Sequence, residues 1–260
     1  MSRSARLFHA LALSAAAAGL SSSAFAEEPG SIKGRVVWAG SAAPTEKVLV
    51  EKGKAAKDPE VCAAAGSIVS QELEVDSATK GVANVIVYLV KPSGSNPEAA
   101  KALLKAHPQA VLDQKDCVFL PHVQAIYEGQ ELVIKTSDSV SHNVRYQGFS
   151  NGALNQMLGA GAKPLDLKLK AERRPMQVAC DIHPWMTSWV AVFDHPYFAV
   201  TDKTGAFEIK GVPAGAQNLI AWQEKAGYIN EGKSKGMPVT VKAGAAADAG
   251  EIKLEPTAIK

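Results

Sequence analysis

The stretch "AVTDKTGAFEIKGVPAGAQNLIAWQE", residues 199–224, contains three β-type runs separated by two turns. The turns at Asp202–Gly205 and Val212–Gly215 have residues suited to tight reversals, with Gly available where a positive φ is needed. Short β-type runs broken by Gly, Pro and Asp continue along most of the chain, a pattern typical of β-sandwiches. We therefore expect an all-β protein.

One segment departs from this pattern. The run "SNPEAAKALLKAHP" predicts a short helix near residues 96–106, with Ser95 or Asn96 as N-cap and Pro97 at the first helical position. By contrast, residues 45–77 show little periodicity, and we interpret them as a long excursion that carries Cys62.

The first 26 residues have the composition of a secretory signal peptide. Arg3 and Arg6 form a positive start, residues 7–20 are rich in Leu and Ala, and the small-x-small tripeptide "AFA" ends at Ala26. We expect cleavage after Ala26 and a periplasmic location. No later run reaches the roughly 18 uncharged apolar residues that a membrane-spanning helix needs, so we expect no membrane span.

The charge balance changes once this leader is set aside. The whole chain has 28 Lys and Arg against 26 Asp and Glu. Because both basic residues of the leader are lost and no acid goes with them, the mature chain is balanced. Charge therefore gives no support to a nucleic-acid partner or to an anionic membrane surface.

The pattern of residues 199–224 resembles the carboxypeptidase regulatory-like (transthyretin-like) domain, in which a T-D-x-x-G-x-F strand precedes a V-P-x-G turn. That family opens with a G-x-V strand and a second A-x-V-x-L strand, which here lie far upstream in "IKGRVVWAGSAAP" and "GVANVIVYL". The resemblance implies one transthyretin-like sandwich built from residues 27–108 and 198–260, with residues 109–197 inserted. Two tandem domains are the alternative.

The inserted segment carries a second set of motifs around a loop-rich stretch. In chain order they are Phe119-Leu120-Pro121, Gly129, Ser137-Asp138, His142-Asn143-Val144 and the loop "CDIHPWM", residues 180–186. Their order and their C-x-x-H-x-x-M loop resemble the cupredoxin family of plastocyanin, pseudoazurin and amicyanin. The resemblance implies a Greek-key β-sandwich over residues 109–197.

By that resemblance, His142, Cys180, His183 and Met186 are the ligands of one type 1 copper ion. Such a site takes two imidazoles, one thiolate and a weak axial thioether. Since Met186 would fill the axial position, the function implied is that of an electron carrier and not of an enzyme. Its partners would be a redox donor and acceptor, such as a periplasmic dehydrogenase and a cytochrome c.

The resemblance also assigns roles to residues beside the ligands. Asn143 should join the His142 strand to the Cys180 loop, with one hydrogen bond to the sulfur. The C-terminal histidine ligand of cupredoxins reaches the surface through an apolar patch, so His183 is expected at the surface. Pro184 and Trp185 would then form the patch where partners dock.

The chain has three cysteines, and an odd number in an oxidising compartment suggests one pair and one thiol with another role. With Cys180 assigned to copper, we predict a disulfide between Cys62 and Cys117. It would tie the excursion of residues 45–77 to the start of the insert.

Other metal sites remain open at this point. A tetrahedral zinc set is one of them, although it would leave His142 and Met186 without roles; its ligands would be Cys117, His122, Cys180 and His183. A second metal site could use His107, His122 and His195, or His122 could be a surface or interdomain contact. No C-x-x-C-H occurs, which excludes attached haem.

Two functions from other classes also stay open. A periplasmic protein could bind and deliver copper without an electron-transfer role, although such proteins tend to be rich in Met or His and this chain has five Met and six His. A scaffold or adhesion module could use the transthyretin-like part instead.

Overall fold

A computed structural model describes residues 28–260, so the predicted signal peptide lies outside the described residues. Within that range the chain forms 19 strands and one α-helix, which confirms the prediction of an all-β protein with one short helix. No helix of the described residues has the length and apolar character to cross a membrane.

The elements follow one another as short strands. Those of the first part are β1 (Gly30–Trp38), β2 (Val48–Val50), β3 (Ile68–Val69), β4 (Ile86–Leu89) and, after the helix α1 (Pro97–Ala106), β5 (Gln109–Lys115), β6 (Val118–Leu120), β7 (Val123–Tyr127) and β8 (Glu131–Thr136). The strands that follow are β9 (His142–Gln147), β10 (Ala153–Leu158), β11 (Leu165–Lys168), β12 (Met176–Ala179), β13 (Thr187–Phe193), β14 (Phe198–Val200), β15 (Ala206–Val212), β16 (Gly215–Gln223), β17 (Gly227–Tyr228), β18 (Met237–Val241) and β19 (Ala246–Leu254).

Strands from both ends of the described chain share two sheets. β1 lies between β15, to which it is antiparallel, and β19, to which it is parallel. β4 lies between β14 and β16, and β16 also pairs with β17 and β18. The facing sides of these sheets enclose one apolar core, which includes Ile32, Val36, Leu89, Ile209 and Leu219. We call these two sheets the outer sandwich.

The strands between them form a second pair of sheets, which we call the inner sandwich. One sheet has the order β10-β9-β12-β13-β7 and the other the order β11-β8-β5-β6. Their core includes Leu112, Phe119, Ile134, Val178 and Val190. Because β9 pairs with β12 and β12 with β13, the start of β9 and the loop between β12 and β13 lie side by side.

The helix begins as the sequence predicts, with Asn96 in the N-cap position and Pro97 in the first turn. The Asn96 side chain, however, does not cap the helix. Its Nδ2 donates instead to the carbonyl of Gly211 at 2.9 Å. A Cβ at Gly211 would lie 2.8 Å from that of Ala99, so the glycine lets the helix approach β15 closely.

The excursion of residues 45–77 packs on the inner sandwich. Its two short strands, β2 and β3, pair only with each other, and Cys62 forms a disulfide with Cys117. The core of the inner sandwich includes several buried residues of the excursion, namely Val50, Ala55, Cys62, Ala63 and Ile68. Residues 50–68 of the excursion are therefore a packed layer over one end of the inner sandwich, whereas Leu73 and Val75 pack against the core of the outer one.

Candidate metal centre

The loop between β12 and β13 is closed by its own backbone. The Cys180 N–H donates to the Met186 carbonyl at 3.2 Å, and the Met186 N–H donates to the His183 carbonyl at 2.9 Å. Cys180 is 3% exposed, and His183 and Met186 are completely buried. The tight turn thus buries a thiol, an imidazole and a thioether together.

His142, the first residue of β9, meets this loop. Its Nδ1 lies 3.0 Å from Nδ1 of His183, which in turn lies 3.8 Å from Sγ of Cys180. One potential ligand atom from each of these three residues lies within 4.8 Å of the other two, and all three residues are buried. The structure therefore brings together three of the four side chains that the sequence singled out, with Met186 buried in the same loop.

Asp138 supports His142 from the side opposite the cluster. Its Oδ2 lies 2.8 Å from His142 Nε2, and the carboxylate also accepts the N–H groups of Asp116 and Cys117 at 2.7 and 2.9 Å. Burial raises the pKa of Asp138, but these hydrogen bonds outweigh burial and hold its pKa below the ordinary value. The carboxylate is therefore charged and orients the His142 ring.

The charges of His142 and Cys180 depend on each other. Burial lowers the pKa of His142, but hydrogen bonds and charge from Asp138 and Cys180 outweigh it and raise the pKa to about 9. Burial raises the pKa of Cys180, but hydrogen bonds with His142 and the Asn143 N–H leave it lowered. The two groups thus move each other's pKa toward the charged forms, a lower pKa for the Cys180 thiol and a higher one for His142.

His183 behaves differently from His142. Burial and the neighbouring charge of His142 both lower the pKa of His183, and Asp58 only partly compensates. This imidazole is therefore neutral near pH 7, the form in which histidine binds metals.

Asn143 connects β9 to the loop. Its backbone N–H donates to Cys180 Sγ at 3.5 Å, and its side-chain oxygen accepts the Asp181 N–H at 2.6 Å and lies 3.3 Å from the sulfur. The Asn143 amide nitrogen donates to Asn155 and Asp181 at 2.8 and 3.1 Å. The sulfur is thus held in a fixed polar surrounding.

The expectation that His183 reaches the surface is wrong. His183 is completely buried, and its Nε2 lies 3.0 Å from Oδ2 of Asp58 in the excursion. Trp185 is half-buried, with its ring centroid 5.2 Å from that of His183 and its indole N–H donating to the Cys117 carbonyl at 3.0 Å. Pro184 is exposed. The reason is that the excursion covers the end of the inner sandwich where His183 would otherwise meet solvent.

His122 is not a surface residue but a buried contact between the two sandwiches. Its Nδ1 lies 3.1 Å from the Thr187 carbonyl, and its Nε2 forms a hydrogen bond with Oε1 of Glu224, just beyond β16. The second oxygen of Glu224 accepts the indole N–H of Trp189 at 2.7 Å. The side chains of His122 and Glu224 are 3% and 6% exposed.

His107 and His195 lie apart from the site. His107 follows the helix and is exposed. His195 stacks between Phe193 and Tyr197, with ring centroids 5.5 and 5.6 Å away, and its Nδ1 accepts the Tyr197 N–H at 3.2 Å. Among residues 28–260, the groups of His, Cys, Asp and Glu close enough to share an ion include neither of these nor His122. A second metal site from these histidines is not formed.

The structure also contradicts the alternative of a tetrahedral zinc site. It needs Cys117 as a thiolate, but Cys117 is oxidised in the disulfide with Cys62. It also needs His122, which contacts Glu224.

Three carboxylates of this region were missed as functional residues. Asp138 belongs to the Ser137-Asp138 motif and precedes His142 by four residues, but nothing in the sequence marks it as the partner of His142. Asp58 and Glu224 carry no signal in the sequence. They meet His183 and His122 across 125 and 102 positions.

Comparisons with known proteins give weak likenesses. No protein-family model and no curated protein sequence matches the chain. Solved structures similar to it include a reduced amicyanin variant, 20% identical over 36% of this chain and 89% of that one, with a TM-score of 0.30. A purple cupredoxin from Nitrosopumilus maritimus is 19% identical over 33% of this chain and 98% of that one, with a TM-score of 0.27. A copper-containing nitrite reductase from Thermus scotoductus is 17% identical over 33% of this chain and 22% of that one, with a TM-score of 0.29.

Proposed function

We propose that this chain is a type 1 copper protein in which His142, Cys180, His183 and Met186 hold one ion. The observation that carries the proposal is the convergence of two imidazole Nδ1 atoms and one cysteine sulfur in a buried space. Thiolate and thioether suit reduced copper, and imidazole suits both oxidation states, so this donor set fits copper better than a hard cation.

We further propose that the protein carries single electrons between exported redox partners. When bound, the copper ion would supply a one-electron couple. The chain's contribution is to hold the ligands still: Asp138 orients His142, and Asn143 holds the Cys180 sulfur. Met186 is buried in the same loop, and as the axial ligand it would leave no open position for a substrate.

The proposed partners and location follow from the proposed role as an electron carrier. A redox donor and acceptor, such as a periplasmic dehydrogenase and a cytochrome c, would dock near the exposed Pro184 and the half-buried Trp185. A disulfide is typical of exported proteins, which agrees with the leader composition and with a periplasmic location. Residues 27–108 and 198–260 would form the transthyretin-like unit around an inserted cupredoxin unit, a division that the strand pairings support.

The visible and EPR spectra of the copper-loaded protein test the site. We expect an intense thiolate-to-copper band that Cys180→Ser abolishes, because serine cannot supply the thiolate. His107→Gln, which removes an exposed imidazole, should leave the spectrum unchanged. A loaded wild-type protein without this band would contradict the type 1 site, whereas a bound but redox-inactive ion would favour a copper-delivery protein.

The pKa of His142 predicts proton release on copper binding. Since this pKa is about 9 without metal, His142 carries a proton at pH 7 that it must lose to bind an ion. Copper binding at pH 7 should therefore release about one proton from this residue, and affinity should rise with pH until the pH passes the pKa of His142. Calorimetry in buffers of different ionisation enthalpy measures the number released.

Asp138→Asn provides the matched control for this prediction. It removes the charge that raises the pKa of His142, so proton release at pH 7 should fall. Equal release from both proteins would show that the proton comes from another group.

A further inference from the structure

The excursion over the metal centre suggests a role beyond packing. We propose that residues 51–67 form a built-in cap in which Asp58 is a positioning residue for His183. The proposal rests on the function proposed above, in which His183 is a copper ligand. The cap would fix the imidazole from outside and close the edge of His183 to direct contact with a partner.

The orientation of the His183 ring gives the first argument. Nδ1 faces His142 and Cys180, while Nε2 faces Asp58 at 3.0 Å. A neutral histidine that binds metal through Nδ1 carries its proton on Nε2. That N–H then donates to the Asp58 carboxylate, which sets both the tautomer and the plane of the ring.

Asp58 is itself held in place. Its φ of 51° lies in the left-handed region, which Asp adopts more readily than most residues. Its carbonyl accepts the N–H groups of Val61 and Cys62 at 3.0 and 2.8 Å. The carboxylate therefore sits on a short turn that ends at the disulfide.

The disulfide joins the supports of both histidines. On one side, Cys62 donates its N–H to the carbonyl of Asp58, the partner of His183. On the other, Cys117 donates its N–H to Asp138, the partner of His142, at 2.9 Å. A sulfur of each cysteine and a ring nitrogen of His183 lie within 4.8 Å of one another. One covalent link thus fixes both carboxylates that orient the two imidazoles.

The cap is closed by packing as well as by this hydrogen bond. Ala55, Cys62 and Ala63 are buried in the core of the inner sandwich, and Cys62 lies close to the completely buried His183. A partner cannot contact the edge of His183 directly while the cap stays in place. The exposed residues of the loop are then Asp181, which forms an ion pair with Arg145, and Pro184, beside Trp185.

Chemical labelling of histidines in the metal-free protein tests the cap without relying on copper. Diethylpyrocarbonate, read out by mass spectrometry, should modify the exposed His107 quickly and His183 slowly. Asp58→Gly removes the carboxylate but keeps the left-handed backbone, and should speed labelling of His183 about tenfold. His142, supported by Asp138, should stay protected.

Two further variants sharpen the test. Asp58→Asn retains an oxygen that can accept the Nε2–H, so His183 should stay close to wild-type protection. Glu60→Ala removes an exposed acid of the same segment and should change nothing. Fast labelling of His183 in the wild type, or equal labelling in wild type and Asp58→Gly, would overturn the proposal.

The copper-loaded protein gives a second readout. A carboxylate behind a histidine ligand makes the ligand more basic and favours the oxidised ion, so Asp58→Gly and Asp58→Asn should both raise the reduction potential. Glu60→Ala should not. Wild type and both Asp58 variants sharing one potential would overturn the positioning role. If labelling gives the expected results but no thiolate-to-copper band forms, the proposed copper function is contradicted while the proposed cap over His183 is still supported.

Discussion

Replacing both Cys62 and Cys117 with alanine should lower the free energy of unfolding of the metal-free protein by about 4 kcal/mol. The disulfide joins residues 55 positions apart, and the unbridged chain gains the entropy of that open loop when it unfolds. Both cysteines are completely buried, so the smaller alanine side chains also leave space in the core. Urea unfolding followed by far-UV circular dichroism measures the difference.

Reduction provides the control for this prediction. Dithiothreitol in the unfolding experiment should lower the stability of the wild type to about that of the double variant, and should leave the variant unchanged. A loss below about 1 kcal/mol in the variant would show that the open loop stays constrained by the packing of the excursion. The same variant should label faster at His183, because the turn that carries Asp58 loses its anchor at Cys62.

The parts of this site that the sequence could predict are local. The loop of residues 180–186 presents its donor types in seven positions, and its geometry comes from hydrogen bonds between Cys180, His183 and Met186. The helix was predicted for the same reason, since Asn96 and Pro97 act on the turn that they begin.

What the sequence could not predict depends on contacts between distant segments. The burial of His183 depends on the excursion, a segment without periodicity whose Asp58 lies 125 positions from His183 in the sequence. Strands β10 and β11 fall in the stretch read as loop-rich. Their burial patterns are mostly exposed or intermediate, so they lack the apolar alternation that marks a strand in sequence.

Glu224→Ala should lower the free energy of unfolding by about 3 kcal/mol, because it leaves His122 and the indole N–H of Trp189 without their partner in the interior. Glu224 belongs to the outer sandwich, and the other two residues belong to the inner one. Beside them, Ile86 of the outer sandwich packs with Val123 and Ala191 of the inner one in a small apolar cluster. Because this apolar cluster is small, the hydrogen bonds of Glu224 should contribute much of the stability of the contact between the two sandwiches.

Two further substitutions show whether the loss of stability in Glu224→Ala comes from the lost hydrogen bonds or from any change at this position of the chain. Glu224→Gln keeps an oxygen for one of the two contacts and should cost less than Glu224→Ala. Lys225→Ala removes a partly exposed ion pair with Glu72, 3.8 Å long, and should cost less than about 1 kcal/mol. If Glu224→Ala and Lys225→Ala lower stability equally, the network does not hold the sandwiches together. None of these three changes touches a proposed copper ligand, so the spectrum of the loaded protein should stay as in the wild type while the unfolding midpoint moves.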